Sequence, residues 1–207
     1  MLKRGYLLFV LLVGAFVLMG TGGVPAADDA DARAGKFIEA LADKAIAALT
    51  EKDVSREQRL TRFRDLLDEH FAVDTIGRWV LGRHWNDATE AERKEYLSLF
   101  EDLIVVTYVD RFNSYSGEKL TVFKTVPATG GDLLVNSQIT RPSGGEPLDV
   151  AWRVRDYDGR LKIVDVIVAG VSMGQTQRSE FTSVIRRTGG QVEGLLAKLR
   201  EDLKKGA

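Results

Sequence analysis

Apolar residues recur at helical spacing from Ala34 through Phe37, Ile38, Leu41, Ala45, Ile46 and Leu49, and this stripe predicts a first amphipathic helix. Asp53-Val54 interrupts it. Ser55 with Gln58 three residues later fits a capping box, and Leu60, Phe63, Leu66 and Leu67 carry the stripe of a second helix. A short third helix is expected over 71–81, with Asp74 as its N-cap and Gly82 as its stop. Thr89 and Glu92 form a second capping box. It opens the longest helix, whose apolar face runs through Tyr96, Leu99, Phe100, Leu103, Ile104, Tyr108 and Phe112 before Ser116-Gly117.

The period then changes from helical to alternating. Residues 119–127, 133–141, 148–156 and 160–169 are rich in Val, Ile, Leu, Thr and Trp. They are separated by the turn signals Thr129-Gly130-Gly131-Asp132, Pro142-Ser143-Gly144-Gly145 and Tyr157-Asp158-Gly159. Links this short join antiparallel neighbours, so a four-stranded meander is expected. Residues 170–175 read as a loop, and 176–187 and 191–204 as two closing helices around Gly189-Gly190. Helices, sheet, then helices describe an α+β domain: a four-stranded antiparallel meander packed on one face by N- and C-terminal helices, around an apolar pocket. No repeat or internal linker divides it.

The start of the chain has a different grammar. Lys3 and Arg4 precede an apolar run over 5–19, Gly20 to Gly23 break it, and Val24-Pro25-Ala26 places small residues at a cleavage site. A secretory signal peptide is expected over 1–26 and one domain over 27–207. The apolar run of about 15 residues is shorter than the ~20 that cross a bilayer, although an uncleaved anchor is the alternative. The whole chain of 207 residues carries 29 basic and 30 acidic side chains, and the leader holds two of the basic ones and no acid. A near-neutral, slightly acidic balance argues against nucleic acid as a partner. The chain has no cysteine. Disulfide scaffolds, thiol chemistry, Cys-ligated zinc and haem held through C-x-x-C-H are therefore excluded, and stability has to come from packing.

Recognisable catalytic spacing is missing. His70, near a helix end beside Asp68 and Glu69, reads as a solvated residue favoured by the helix dipole. His84, between Arg83 and Trp85, is a possible proton-transfer group, but no companion Ser, Asp or Glu stands at a known spacing, and a structural role is preferred. Two histidines without H-E-x-x-H make no zinc site, and no acidic loop has calcium spacing. Gly170-Val-Ser-Met-Gly174 lacks both the G-x-S-x-G order and a P-loop lysine. Asp165 lies inside the run Ile163-Val164-Asp165-Val166-Ile167 and has to face solvent or a partner. Strict alternation puts Ile163, Asp165 and Ile167 on one face and Val164, Val166 and Val168 on the other.

What the chain has in excess is apolar surface. An exported, cysteine-free sheet-and-helix domain without a catalytic set suits a carrier of hydrophobic cargo, with no cofactor and no metal. The residues expected to line its cavity are Trp79, Leu81, Phe100, Leu103, Ile104, Tyr108, Val122, Val135, Val150, Trp152, Val164, Val166, Val171 and Phe181. Asp165 and Arg178 are expected to meet at the rim as an ion pair. An ordinary filled core has the same composition. An enzyme using His84 with Asp74 or Glu90, and a non-carrying adaptor, are the other readings.

Several segments resemble one family. Residues 71–85 (FAVDTIGRWVLGRHW), 89–100 (TEAERKEYLSLF) and 161–172 (LKIVDVIVAGVS), with Arg178 and Phe181 as R-x-x-F, are similar in order and spacing to motifs of the MlaC / toluene-tolerance family of phospholipid-binding proteins, over about 34–203. Leu161, His84 and Gln177 depart from its usual Trp, Tyr and Tyr. The run 172–185, followed by Gly189-Gly190, resembles a hopanoid-biosynthesis-associated branch, which leaves the cargo open between a phospholipid and a polycyclic terpenoid lipid. The resemblance implies a periplasmic shuttle. Its lipid would travel between an inner-membrane ABC transporter complex and an outer-membrane lipoprotein complex.

Overall fold

The computed structural model describes residues 26–51, 53–110 and 115–206. The leader predicted over 1–26, apart from its last residue, and Phe112 lie outside them. Seven α-helices and five strands occur among the described residues: α1 (Ala26–Leu49), α2 (Arg56–His70), α3 (Val73–Leu81), α4 (His84–Asp87), α5 (Glu90–Val109), β1 (Lys119–Pro127), β2 (Leu133–Thr140), β3 (Leu148–Tyr157), β4 (Arg160–Val168), β5 (Val171–Ser172), α6 (Met173–Arg187) and α7 (Val192–Gly206). The strands form one antiparallel sheet in chain order. The α+β class and the meander are as expected, with a fifth, two-residue strand added where a loop was expected.

Both capping boxes form. Ser55 accepts from Gln58 N–H while Gln58 accepts from Ser55 N–H, and Thr89 and Glu92 do the same. Asp74 does not cap α3. The N-cap is Ala72, because its amide is already spent on the sheet, donating to Ile163 O at 2.9 Å. Residues 84–87, expected as loop, close one further turn, with Ala88 N–H donating to His84 O. Within this turn the Trp85 ring has two guanidinium groups over it, those of Arg78 and Arg93, centred 5.6 and 5.4 Å from its centroid.

The apolar side chains gather into two cores. In the first, α2, α3, α5, α6 and α7 bury Leu67, Val80, Leu81, Phe100, Phe181, Leu195 and Leu196 around Tyr96. Tyr96 stacks on Phe100 at 5.8 Å, Phe181 meets both rings edge-on, and the Tyr96 hydroxyl donates to Gly77 O at 3.0 Å. In the second, Ala34, Ile38 and Leu41 of α1 pack on Val135, Val154 and Ile163 of the sheet. Phe71 is the one described residue that packs against both. It forms a parallel bridge to Ile163 on the free edge of β4, so the helical half is joined to the sheet at that edge.

Two local features depart from the expected pattern. The register of β3 and β4 shifts between Arg153↔Asp165 and Val154↔Ile163, which leaves Val164 as the extra residue of a bulge. The inserted residue reverses the alternation, so Leu161, Ile163 and Val166 share the core face, and Asp165 and Ile167 lie on the other. His70 is buried rather than solvated. Its ring stacks on Phe37 of α1 at 5.7 Å and its Nδ1 contacts Leu66 O at 3.1 Å. Burial holds the His70 imidazole below the ordinary histidine range despite the opposing pull of Glu69; Lys44 and Lys162 add to the lowering.

Ile163 is fully buried at the joint, and Ile163→Ala is expected to cost about 2–5 kcal/mol. Phe123→Ala, at a side chain 59% exposed, is expected to stay within about 0.5 kcal/mol; urea unfolding of both variants checks the contrast. Burial also lowers His84, with Arg83 acting in the same direction. Both histidines bind their proton more weakly folded than unfolded. Their stabilising contribution is therefore full above about pH 6.5, the unfolded value, and is lost as the pH falls from there through their lower folded values. A His70→Phe, His84→Gln variant should show a shallower loss of urea midpoint between about pH 7 and pH 5 than the parent.

Candidate functional site

The fourteen residues expected to line a cavity do not meet in one. Leu81, Phe100 and Phe181 are buried in the helical core, with Leu103 and Ile104 partly buried against it. Val135 is buried in the sheet core, and Val122, Trp152 and Val166 pack at its margin. Val150 and Val164 are also buried, whereas Trp79, Tyr108 and Val171 are exposed. The fold thus divides most of the set between two separate cores, buries Val150 and Val164 outside both, and leaves Trp79, Tyr108 and Val171 partly exposed. Alternation and helical spacing identify the apolar residues. They carry no signal for which core each one joins.

The space that is open lies elsewhere. A groove of about 450 Å³ runs between the α2–α3 elbow and the tip of the β3–β4 hairpin, lined by Phe71, Ala72, Val73, Thr75, Tyr157 and Arg160 among others. A smaller cavity of about 130 Å³ lies under α1 against Leu133, Val154 and Leu161. Phe71 thus lies at once in the groove wall and in both cores.

The expected rim pair does not form. Asp165 and Arg178 make no ion pair; each has other partners. The Asp165 carboxylate accepts from Ser172 Oγ at 2.6 Å, from Val166 N–H at 2.9 Å and from Gly174 N–H at 3.1 Å. Ser172 Oγ in turn accepts from Gln175 N–H as the N-cap of α6. The turn that delivers Ser172 is a two-residue hairpin at Ala169-Gly170, both at positive φ (49° and 80°). Alanine is an uncommon residue in that conformation, which is why the sequence signalled a loop rather than a strand reversal.

Arg178 instead lies 5.6 Å over the ring of Trp79. Its guanidinium also lies against Gly82, where an added Cβ would come within 2.9 Å of Nη2. Gly174 is equally tight: a Cβ there would stand 2.5 Å from the Trp79 ring. Small residues at 82 and 174 therefore let α3 and α6 close around Trp79, whose ring is part exposed and part held between Gly174 and Arg178. The cluster Trp79, Gly82, Asp165, Ser172, Gly174 and Arg178 joins α3, β4, β5 and α6. Of these, the sequence singled out Trp79, Asp165 and Arg178 as site residues; it read Gly82 only as a helix stop and Gly174 only as part of a turn, and so missed their packing role.

Asp165→Ala is expected to cost about 2 kcal/mol by freeing three donors. Arg178→Ala should cost about 0.5–1 kcal/mol by uncovering Trp79. With no direct pair, the double variant should be additive to within about 0.5 kcal/mol, and a double-mutant cycle by urea unfolding reads the coupling.

The family model described as MlaC protein matches residues 39–201. A curated relative, the intermembrane phospholipid transport system binding protein MlaC of Haemophilus influenzae, is 23% identical over 145 residues, covering 68% of this chain and 66% of its own length. The match thus spans just under two thirds of that relative. Among solved structures, the phospholipid-binding protein from Ralstonia solanacearum in complex with a phospholipid has the same fold. Its TM-score is 0.72 at 21% identity, over 84% of this chain and 98% of that one.

Proposed function

This chain belongs to the MlaC family, and from that premise we propose that it is a periplasmic lipid carrier. It holds the acyl chains of a phospholipid between its two apolar cores and releases them to a second membrane. The division of the interior is the observation that carries this reading: two apolar clusters share Phe71 alone among the described residues, with Leu103, Ile104, Trp152 and Val166 partly buried at their margins. A single filled core offers no surface to part, whereas two cores abutting at their edges do. Lipid chains entering there replace protein contacts with chain contacts, at about 0.8 kcal/mol of hydrophobic driving force per CH₂ removed from water. That is far more in sum than any measured affinity retains, so the surplus is available to separate the cores.

The exposed apolar side chains fit the mouth of such a site. Val171, 53% exposed in the tight turn after β4, stands next to the Asp165–Ser172 anchor, and Tyr108 is exposed near the C-terminal end of α5. Both were among the residues expected to touch lipid. The relative from Haemophilus influenzae, named for phospholipid transport, and the phospholipid-bound structure from Ralstonia solanacearum support a phospholipid as cargo. On this reading the leader over 1–26 exports the protein. The carrier then runs between an inner-membrane ABC transporter complex and an outer-membrane lipoprotein complex, and it binds its cargo without chemically changing it.

Val171→Glu puts a charge at the mouth at a position whose exposure spares the fold. The variant is expected to keep its stability within about 0.5 kcal/mol and to lose at least about tenfold of the co-purifying lipid. Solvent extraction of protein purified from its native host, followed by mass spectrometry of the extract, reads both the amount and the class of lipid. A lipid-free parent protein, or an unchanged lipid load in the variant, would overturn the proposal; a polycyclic terpenoid in the extract would replace the phospholipid as cargo.

A further inference from the structure

We propose that the outer face of the sheet is a docking surface for an anionic lipid bilayer. The face opposite α1 is uncovered: along β1 to β4 its residues, Lys119, Lys124, Asn136, Ala151, Arg153, Arg155, Arg160 and Lys162 among them, are all exposed or part exposed and none is buried. At the hairpin end it carries four cations on two neighbouring strands. Arg155 stands directly opposite Lys162 in register, with Arg153 and Arg160 the next residues on that face. Like charges directly opposed across a ladder oppose folding.

The carboxylates beside these cations are already engaged. Asp132, only 2% exposed, receives Arg155 Nε at 2.6 Å and Arg155 Nη2 at 3.0 Å, with Arg153 Nη1 at 3.5 Å. Asp165, opposite Arg153, spends its oxygens on Ser172, Val166 and Gly174. Asp149, further along, accepts from the Gln138 side-chain amide. Lys162 donates to the backbone carbonyls of Asp68 and Glu69 at 2.7 and 2.8 Å rather than to a carboxylate. Asp68 and Asp74 stand on the helical side of the adjoining groove. A chain of formal net charge −1 therefore concentrates cations on one open, sheet-like face.

Charge complementarity calls for an anionic occupant, and the apolar residues of this face, Val126, Leu134, Tyr157 and Ile167 among them, are interleaved with polar and charged neighbours rather than gathered into one patch. Protein interfaces are anchored by buried aromatic and aliphatic side chains. Of the large exposed apolar residues, Trp79 and Tyr108 belong to helices and Phe123 and Val171 to β1 and β5, not to the β3–β4 pair that carries the four cations. Arg and Lys spread over one open sheet face match the phosphates of a lipid surface, where each basic residue raises partitioning about fivefold. This proposal does not require lipid in the interior.

The test is co-sedimentation of the protein with vesicles of phosphatidylcholine alone and of phosphatidylcholine mixed equally with phosphatidylglycerol. Sedimentation with the anionic vesicles only, falling as salt rises, is the expected result. Arg153→Glu with Arg160→Glu should cut it at least about tenfold while leaving co-purifying lipid unchanged. Lys36→Glu with Lys94→Glu, which makes the same net charge change on exposed positions of α1 and α5, should not. Equal sedimentation with both vesicle types, or an equal loss in the two double variants, would overturn the proposal. Retention on immobilised poly-glutamate without vesicle binding would overturn it in favour of an acidic protein partner.

Discussion

Strand β4 joins the two halves of this protein, and the rest of the structure depends on that joint. Ile163 accepts a backbone hydrogen bond from Ala72 at 2.9 Å and packs beneath Phe71, which brings the α2–α3 elbow onto the free edge of the strand. One residue earlier, Lys162 reaches the last carbonyls of α2, satisfying acceptors that a helix end leaves open. Two residues later, Asp165 binds the head of α6 through Ser172 and Gly174. The bulge at Val164 separates these contacts, keeping Ile163 and Val166 in the core while Asp165 turns to the other face. Strand β4 thus takes hold of both the α2–α3 elbow and the head of α6. It does so with hydrogen bonds rather than a broad apolar interface, which is how the helical and sheet cores stay distinct.

That separation gives the apolar residues two different meanings. Around Tyr96 they form an ordinary close-packed core, fixed by stacked and edge-on rings and by a buried hydroxyl whose pKa burial drives upward. At the margins of the two clusters they are only partly buried, and at Val171 and Tyr108 they are open to solvent.

Much of the architecture was legible in the sequence because it rests on local rules. Ser55 with Gln58 and Thr89 with Glu92 make their reciprocal hydrogen bonds within one turn, so spacing alone identifies both helix starts. Asp158-Gly159 is a favoured pair for a tight hairpin, and both residues have positive φ. The Ala169-Gly170 hairpin is equally tight but lacks that signature, and with it β5 was missed. Asp74 looked like a cap because helix-start signals assume that the preceding amide is free. Here Ala72 is held by Ile163, more than ninety positions away.

The sequence by itself determined the α+β class, the order of the elements, the absence of cysteine chemistry and the family, since each follows from periodicity, composition or contiguous motifs. Only the tertiary structure decided how the apolar residues divide between two cores, that His70 stacks under α1, that Asp165 anchors a turn instead of pairing with Arg178, and that the cations of β3 and β4 share one open face. Those outcomes depend on a one-residue bulge and on contacts between segments far apart in the chain. A single inserted residue reverses the faces of everything after it in the strand, and no local pattern of hydrophobicity records where that insertion falls.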